Sequence, residues 1–250
     1  MQLFYAADFT APEYMLSEEE ARHAVKVLRL VEGDTLHITD GRGNLYRCEV
    51  ASAHQKHCLV RVVEHFEEFE KLPYRLTMAV APTKNIERLE WMVEKCTEIG
   101  VDEITPLLCR FSERKNLRND RLEKIILSAA KQSLTPYLPK LNPLTDFATL
   151  MEMYKPTPNP SLKGRELDEE RGMDKFIAHC YKDEKCELKD ALRKGRDVLI
   201  LIGPEGDFSE QEVEQAIAQG FVPVGLGRSR LRTETAGVVA CHTVVLMNED

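Results

Sequence analysis

Short apolar runs alternate with amphipathic helical patterns over residues 76–247, and this alternation constrains the fold more than any other feature. The apolar runs are LTMAVA (76–81), ITPLLC (104–109), KFIAHC (175–180), DVLILIG (197–203) and FVPVGLG (221–227). The helical patterns cover residues 86–100, 120–133, 209–220 and 233–247. Because strands that are apolar throughout must be covered on both faces, the sequence predicts an α/β domain built on a mostly parallel sheet.

Residues 1–72 follow a different pattern, which predicts a small β-barrel domain. DTLHITD (34–40) and YRCEVAS (46–52) alternate apolar and polar residues around the glycine-rich turn DGRGN (40–44), and CLVRVVE (58–64) supplies a further strand. Several short strands that close on themselves are typical of small barrels. A single helix interrupts them, and the capping-box pair Ser17 and Glu20 marks its start.

Two segments break the regular patterns. FEEFEKLPY (66–74) is charged and contains a proline, so we expect a linker between domains at 1–72 and 73–250. KPTPNPSLKGRELDEERG (155–172) is rich in proline, glycine and charge and cannot supply a buried face. We expect it to be a surface loop insertion without a catalytic part.

The composition favours a cytoplasmic protein. The seven cysteines form no C-x-x-C pair, and no apolar run reaches about 18 residues. The first residues show neither the basic nor the apolar region of a signal peptide, so we expect no membrane partner. HQKHC (54–58) resembles half of a metal site, but it lacks a second half and we expect no metal.

Positive charge is concentrated locally in a chain of net charge −8. Residues 74–150 hold 12 Lys and Arg against 10 Asp and Glu, a net charge of +2. Six of those basic residues lie within 110–124, including Arg110 and Arg114. The segment fits a solvated helix face with its approach loop, and it equally fits a local phosphate-binding patch.

Three segments near the C-terminus combine glycine, charge and strand or helix ends. IGPEGDFS (202–209) and VGLGRSR (224–230) each leave an apolar strand, and LRTETAG (231–237) opens a helix whose N-terminus exposes backbone N–H groups. The glycines could be simple turn residues beside surface arginines, or part of a Rossmann site, although the third glycine of that motif is missing. The third interpretation is a nucleoside-type cofactor held by the loops, with arginines that reach a polyanion. A P-loop is excluded because its motif does not occur in the sequence.

Five motifs in order resemble one known family. IGPEGDFS, GLGRSRLRTETA (225–236), KCTEIGVDEITPL (95–107), AAKQSLTPYLP (129–139) and HAVKVLRLVEGD (23–34) resemble the RsmE family of ribosomal small-subunit uridine-N3 methyltransferases, in the SPOUT superfamily. The resemblance covers almost the whole chain apart from 155–172. Asp207 replaces the third glycine that the family usually has, and SLTPYLP lacks the family's arginine.

The resemblance implies a fold, a cofactor and a substrate. The fold would be a SPOUT-type parallel sheet with a C-terminal trefoil knot, preceded by a PUA-like β-barrel. The cofactor would be S-adenosyl-L-methionine, the working unit a homodimer, and the substrate one uridine of 16S ribosomal RNA in the assembled small subunit. The positions that match the cofactor loops are Leu201, Ile202, Gly203, Pro204, Glu205, Gly206, Leu226, Gly227, Leu231, Arg232 and Thr233.

The uridine N3 reaction suggests roles for the charged residues. Arg228 and Arg232 would stabilise the negative charge that spreads over the uracil carbonyls, or hold phosphates. Glu234 would orient them or accept the N3 proton, or it would only offset the helix macrodipole. We expect Arg230 to face away from the site. The expected RNA contacts are Lys26, Arg29, Arg42, Lys84, Arg110 and Arg114.

Other side chains near the motifs carry weaker signals. Glu205 would orient the cofactor or cap its turn, and Glu94 and Glu98 are expected to pair with neighbours on their own helix. Trp91 is expected in the core or an interface. Two other functions stay open: a related methyltransferase that acts on another atom or RNA, such as a tRNA ribose hydroxyl, and a non-catalytic RNA-binding protein without affinity for S-adenosylmethionine.

Overall fold

The computed structural model describes residues 2–155, 172–181 and 185–249. Its contacts divide the chain into two compact units. One contains Met1–Lys71 and Leu127–Leu138, and the other contains Leu72–Ile126 and Pro139–Asp250. The predicted insertion at 155–172 lies almost entirely outside the described residues.

The first unit is built on one five-stranded sheet. In chain order its strands are β1 (Leu3–Tyr5), β2 (Glu13–Met15), β3 (Thr35–Thr39), β4 (Leu45–Ser52) and β5 (Leu59–Phe66). Their spatial order is β1-β3-β4-β5-β2, with β1 parallel to β3 and the other pairs antiparallel. The predicted hairpin around DGRGN is therefore confirmed. Among the described residues β1 and β2 are edge strands, so hydrogen bonds do not close the sheet into a ring.

The helix of this unit shows how a long-range ion pair replaces half of a predicted cap. Helix α1 (Glu18–Arg22) begins after Ser17, whose Oγ accepts from the Glu20 backbone N at 3.3 Å, and a π-helical turn (His23–Val27) continues it. The Glu20 carboxylate does not complete the box. It instead binds Lys131 Nζ at 2.6 Å. The Glu20 carboxylate thus forms an ion pair in place of a bond to the Ser17 backbone N–H, and both kinds of bond are charge-assisted.

The DGRGN turn is fixed by its own aspartate and by an aromatic ring. The Asp40 carboxylate accepts from the backbone N of Arg42 at 2.8 Å and from Asn44 Nδ2 at 2.7 Å. Burial alone would raise the pKa of Asp40, but the hydrogen bonds from Asn44 and Arg42 outweigh it, and the pKa is lowered. Gly43 has φ of +100°, and a Cβ at this position would collide with the Tyr137 ring.

The second unit is an α/β domain with an eight-stranded sheet. In space the strands run β11-β13-β10-β12-β6-β7-β8, with β9 paired to β7, and every pair is parallel. The strands are β6 (Leu76–Val80), β7 (Glu103–Leu108), β8 (Lys140–Leu141), β9 (Thr145–Asp146), β10 (Met173–Ala178), β11 (Cys186–Glu187), β12 (Asp197–Ile202) and β13 (Val222–Gly225). The predicted parallel sheet is confirmed, and the central strands β6 and β12 are buried along their whole length.

Helices cover both faces of this sheet, as expected from its apolar strands. The helices of this unit are α2 (Ile86–Ile99), α4 (Phe147–Met153), α5 (Leu188–Ala191), α6 (Glu210–Ala218) and α7 (Thr233–Asn248), and a further helix, α3 (Asn119–Ser133), has residues in both units. Helices α4 and α6 pack on one face through Phe147, Leu150, Val213 and Ala216. Helix α7 contacts β6, β12 and α2, so it covers the other face with α2. No helix among the described residues is long and apolar enough to span a membrane.

Helix ends in this unit follow their capping signals. Ser209 and Glu212 form a complete capping box at the start of α6. Gly100 ends α2 with φ of +119°, in the left-handed region that favours glycine. Lys95 pairs with Glu94 and Glu98 on α2, which confirms the predicted local ion pairs.

The close approach of Tyr137 to Gly43 gives a stability prediction. Gly43→Ala should lower the free energy of unfolding by roughly 2 to 4 kcal/mol, because it adds both a left-handed alanine and a collision with the ring. Gly33→Ala is the matched control, since Gly33 has φ of +90° but a Cβ added there would meet no atom within 4 Å. It should cost only about 1 kcal/mol. Urea denaturation of both variants measures the difference, and equal costs would contradict a role for Tyr137.

Candidate functional site

The three glycine-bearing segments meet at the carboxyl edge of the second sheet. Strands β12 and β13 are both parallel to β10, so their following loops emerge on the same side as the loop after β10. Two adjoining cavities of about 280 Å³ and 410 Å³ lie among these loops and the start of α7. They share as lining residues Ala178, Cys180, Arg230, Leu231 and Ala236. We call the two cavities together the loop cleft.

Most of the expected cofactor positions line the loop cleft. Ile202, Gly203, Pro204, Glu205, Arg232 and Thr233 line the smaller cavity, Leu226 and Gly227 line the larger one, and Leu231 lines both. Two positions do not. Leu201 is buried in β12, and Gly206 packs where a Cβ would lie 3.0 Å from Phe111 Cβ.

Specific hydrogen bonds hold the walls of the cleft. Thr233 Oγ1 donates to the Gly203 carbonyl at 3.1 Å, which joins the start of α7 to the loop after β12. The Glu187 carboxylate accepts from the backbone N of Gly227 at 2.8 Å. Gly227 has φ of +105°, a conformation that glycine adopts without strain. The backbone at these turns is therefore fixed by contacts between loops.

Glu205 joins the loop after β12 to the loop after β6. Its Oε1 accepts from the backbone N of Lys84 at 2.9 Å. The partner lies in a different loop, so this bond does not cap the turn that contains Glu205. The bond also forms without a cofactor. Glu205 thus positions two loops against each other, and it lines the smaller cavity.

Asp207 occupies the turn position at which the family usually has glycine. It has φ of +68°, so an aspartate occupies the left-handed region that a short polar side chain tolerates. Its Oδ2 accepts from the backbone N of Cys180 at 2.7 Å, and its Oδ1 accepts from the backbone N of Phe208 at 2.8 Å. Burial and the Asp207 charge raise the pKa of the Cys180 thiol. The departure from glycine therefore adds a tether to the wall that both cavities share.

Further contacts fix the segment that Asp207 holds. Tyr181 Oη donates to the Phe208 carbonyl at 2.7 Å. Lys185 Nζ donates to the carbonyls of His179 and Tyr181, each at 2.6 Å. Hydrogen bonds within the protein thus hold the described part of the loop after β10, without any contribution from a ligand.

The arginines of the second and third segments line the cleft. Arg228 lines the larger cavity, Arg230 lines both, and Arg232 lines the smaller one. The expectation that Arg230 faces away is wrong. Residues two apart in an extended segment share one face, which would put Arg230 on the side of Arg228 and Arg232, and the chain bends at Arg228 and Ser229.

Glu234 lies beside another open cavity, of about 560 Å³, that is lined by α2 and the start of α7. Its side chain is 9% exposed, and its Oε1 is 3.7 Å from Arg88 Nε. Its Oε2 is buried without a hydrogen-bond partner among the described residues. Arg232, Asn85 and Trp91 also line this cavity. The sequence predicts Trp91 in the core or an interface, and its 45% exposure contradicts the core and leaves the interface as a prediction.

Three expected RNA contacts lie on the loops after β6 and β7. Lys84 Nζ pairs with Glu113 at 2.8 Å, and that hydrogen bond raises the pKa of Lys84. The Arg114 guanidinium donates to the carbonyls of Thr83 and Lys84 at 3.0 and 2.7 Å. The backbone N of Arg110 donates to Glu212 at 2.8 Å. The structure thus brings these three residues to the carboxyl edge of the sheet.

The other three expected RNA contacts lie in the first unit. Lys26 belongs to the π-helical turn, Arg29 follows it with φ of +59°, and both are exposed. The Arg42 guanidinium is exposed at the hairpin tip, where it donates to the Ala7 carbonyl at 3.2 Å and lies 3.4 Å from Asp40. In HQKHC the rings of His54 and His57 stack, and Cys58 is buried in the core of the unit.

Sequence reasoning missed several lining residues of the loop cleft. Ala178, Cys180, Lys185 and Glu187 come from the end of β10 and from the two-residue strand β11, where no recognisable motif occurs. The acidic Glu187 is separated from Gly227 by 40 residues in the chain. Only the parallel pairing of β11 with β13 brings them together, and a two-residue strand carries no periodic signal.

Known proteins share both parts of this chain. A family model described as an RNA methyltransferase domain matches residues 70–245, and one described as an RNA methyltransferase PUA domain matches residues 16–63. A Bacillus subtilis protein named ribosomal RNA small subunit methyltransferase E is 29% identical over 245 residues, which are 96% of this chain and 92% of the relative.

Solved structures agree with these matches. A Porphyromonas gingivalis protein named a probable rRNA-methyltransferase has a TM-score of 0.85 and 41% identity, and the match covers 98% of this chain and 99% of that one. A Legionella pneumophila protein named as a methyltransferase and solved with bound S-adenosylmethionine has a TM-score of 0.79 and 26% identity. That match covers 99% of this chain and 98% of the other.

The Asp207 tether can be tested by hydrogen exchange. Asp207→Gly should speed exchange of the Cys180 amide about tenfold or more, because glycine keeps the turn but removes the acceptor. Asp207→Asn keeps an acceptor oxygen and should restore most of the protection. The Gly227 amide, which Glu187 holds, is the internal control and should exchange unchanged. Equal exchange of the Cys180 amide in the wild type and the glycine variant would refute the tether.

Proposed function

Because the chain belongs to the RNA methyltransferase family whose domain spans residues 70–245, we propose that it methylates N3 of one uridine in 16S ribosomal RNA of the assembled small subunit. S-adenosylmethionine is its methyl donor, in keeping with the family and with a structural relative that was solved with this cofactor. The PUA domain at residues 16–63 supports RNA as the substrate class. The small-subunit name of the Bacillus subtilis relative supports 16S ribosomal RNA as the target.

The loop cleft is the single observation that carries this proposal. It is formed by the three segments that resemble the cofactor loops, and all but two of the expected cofactor positions line it. A nucleoside needs close approach to the backbone, which the glycine turns of these loops permit. We therefore assign the cofactor to the loop cleft.

The reaction at uridine N3 needs in-line geometry and removal of one proton. Bound S-adenosylmethionine supplies an activated methyl group on its sulfonium. Methyl transfer from the bound cofactor to N3 would also require an acceptor side chain to take up the N3 proton. Arg228 and Arg232 lie on the cleft walls, where their charge would stabilise the negative charge on the flanking carbonyl oxygens.

Glu234 is the proton acceptor, or the group that orients Arg232, in this proposal. Its buried Oε2 has no partner among the described residues, so it can accept a hydrogen bond from a substrate without losing one. An exposed carboxylate would also offset the helix macrodipole, and it would avoid the desolvation cost of burial. The burial of Glu234 therefore favours a substrate role.

Homodimerisation and the trefoil knot belong to the same proposal. Helices α2 and α7 pack together, and they expose the large apolar side chains of Trp91, Leu246 and Met247. Such an exposed group at a helix pair is typical of an interface. The hydrogen bond from Thr233 to Gly203 supports a tightly interlaced C-terminal part. The substrate places the protein in the cytoplasm.

Product analysis tests the function. Purified protein, S-adenosylmethionine and small subunits that lack the modification should yield N3-methyluridine, and protein-free 16S RNA should be a poorer substrate. Nucleoside mass spectrometry distinguishes N3-methyluridine from a ribose-methylated product. A ribose product would support the other methyltransferase activity, and cofactor binding without any product would refute the proposed substrate.

Glu234→Gln tests the proposed acid–base role. It should lower kcat by about 10² to 10⁴ and leave the Kd for S-adenosylmethionine unchanged. Glu210→Gln is the matched control, because Glu210 is also an acidic residue in a first helical turn but is exposed on α6. An unchanged kcat in the Glu234 variant would leave Glu234 with an electrostatic role only.

A further inference from the structure

A separate cavity of about 360 Å³ lies between α2 and the segment that leads into α3. Its volume falls in the range of about 300 to 1,000 Å³ that is typical of small-molecule sites. The lining residues are Ile86, Glu90, Arg114, Asn116, Leu117, Arg118, Arg121 and Leu122. All of them lie outside the loop cleft. We call this cavity the arginine cavity.

The arginine cavity has an excess of positive charge. Three arginines and one glutamate line it, which gives a net charge of +2 in a chain of net charge −8. Only Arg121 is neutralised, by Glu90 Oε2 at 2.7 Å from its Nη2. Arg114 donates to two carbonyls, and Arg118 makes no ion pair within the described part of the chain. Two guanidinium charges are thus left for an anion, and guanidinium groups suit phosphate geometry.

Glu90 adds a second requirement, a hydrogen-bond donor. Its side chain is 10% exposed, and its Oε1 is buried without a hydrogen-bond partner among the described residues. A buried carboxylate oxygen needs an N–H or O–H donor. A phosphate that carries only acceptor oxygens would be repelled by it, and a metal ion would be repelled by the arginines. The ligand must therefore combine an anionic group with a neutral donor.

A nucleotide meets both requirements. Its phosphate would bind Arg118 and Arg114, and a ribose hydroxyl or a base N–H would donate to Glu90 Oε1. Ile86, Leu117 and Leu122 provide apolar surface for the sugar or the base. The same chemistry is offered by a free nucleotide and by one residue of an RNA chain.

Hydrogen bonds connect the arginine cavity to the loop cleft. Arg114 binds the carbonyls of Thr83 and Lys84, and the backbone N of Lys84 binds Glu205, which lines the loop cleft. One short segment thus joins the two sites. One RNA chain can occupy the arginine cavity and the loop cleft at once. The connection between the two sites would give a free nucleotide no advantage.

We propose that the arginine cavity binds a second nucleotide of the RNA substrate, distinct from the uridine that is methylated. This assignment rests on the proposed function, since it requires an RNA substrate at the loop cleft. It makes Arg118 a phosphate contact and Glu90 a contact that selects a hydrogen-bond donor.

Arg118→Ala tests the phosphate contact. It should raise the KM for small subunits about fivefold to tenfold and lower the slope of log K against log salt concentration by about 0.7 to 0.9. The Kd for S-adenosylmethionine should not change. Lys155→Ala removes one positive charge elsewhere and is the matched control, since Lys155 lines none of the cavities described above. An Arg118 variant with the KM and salt slope of the control would overturn the proposal.

Glu90→Gln tests the donor contact. Glutamine keeps the volume and one oxygen for Arg121, but it presents an amide NH₂ where the ligand would donate. The affinity for small subunits should fall about tenfold. Thermal unfolding checks that the variant folds, and if it does not, the Arg118 result alone decides. A folded Glu90 variant with wild-type RNA affinity would also overturn the proposal.

Two further arms separate the possible failures. Wild-type protein that methylates no RNA contradicts the proposed function, whereas normal methylation by both the Arg118 and the Glu90 variants contradicts only the second nucleotide site. Titration with the four ribonucleoside 5′-monophosphates tests the free-nucleotide source. Tight binding of one of them that small subunits cannot displace would overturn the assignment to RNA.

Discussion

Four acidic side chains hold the carboxyl edge of the sheet together, and the geometry of the loop cleft depends on them. Glu205, Asp207, Glu187 and Glu212 each accept a backbone N–H from another loop, at 2.9, 2.7, 2.8 and 2.8 Å. The donors are Lys84, Cys180, Gly227 and Arg110, which follow β6, β10, β13 and β7. Carboxylate-to-amide bonds of this kind are charge-assisted and stronger than neutral ones. Loops that carry no regular structure of their own are fixed in this way.

The cleft arginines form no ion pairs among the described residues, although the chain is acidic. The carboxylates of Glu187, Glu205 and Asp207 accept from backbone amides and are not paired with Arg228 or Arg230. Arg228 and Arg230 therefore present unpaired charge at the cavities, beside carboxylates that keep their own charge. The net charge of −8 describes the whole chain, whereas the cleft contains positive and negative groups side by side.

The sequence predicts the parts of the fold that depend on burial and short-range contacts. The central strands are recognisable because β6 and β12 are apolar on both faces, and α6 is recognisable because Ser209 and Glu212 are three residues apart. Contacts between distant residues are not recognisable in this way. The Glu20 carboxylate binds Lys131, 111 residues away, and no local pattern distinguishes that pair from a capping box. Glu187 is not recognisable as a cleft residue for the same reason, since it reaches Gly227 only through the pairing of β11 with β13.

Two carboxylate oxygens depart from the general rule that buried polar atoms are paired. Glu90 Oε1 on α2 and Glu234 Oε2 on α7 are buried without partners among the described residues. Each such oxygen costs about 1 to 3 kcal/mol relative to a paired one, and a fold without a use for it would gain stability by replacing the residue. Both oxygens lie beside arginines and line cavities. A hydrogen-bond donor on the substrate would recover that energy only in the complex, so the same groups that weaken the free protein would contribute to selecting the RNA that it binds.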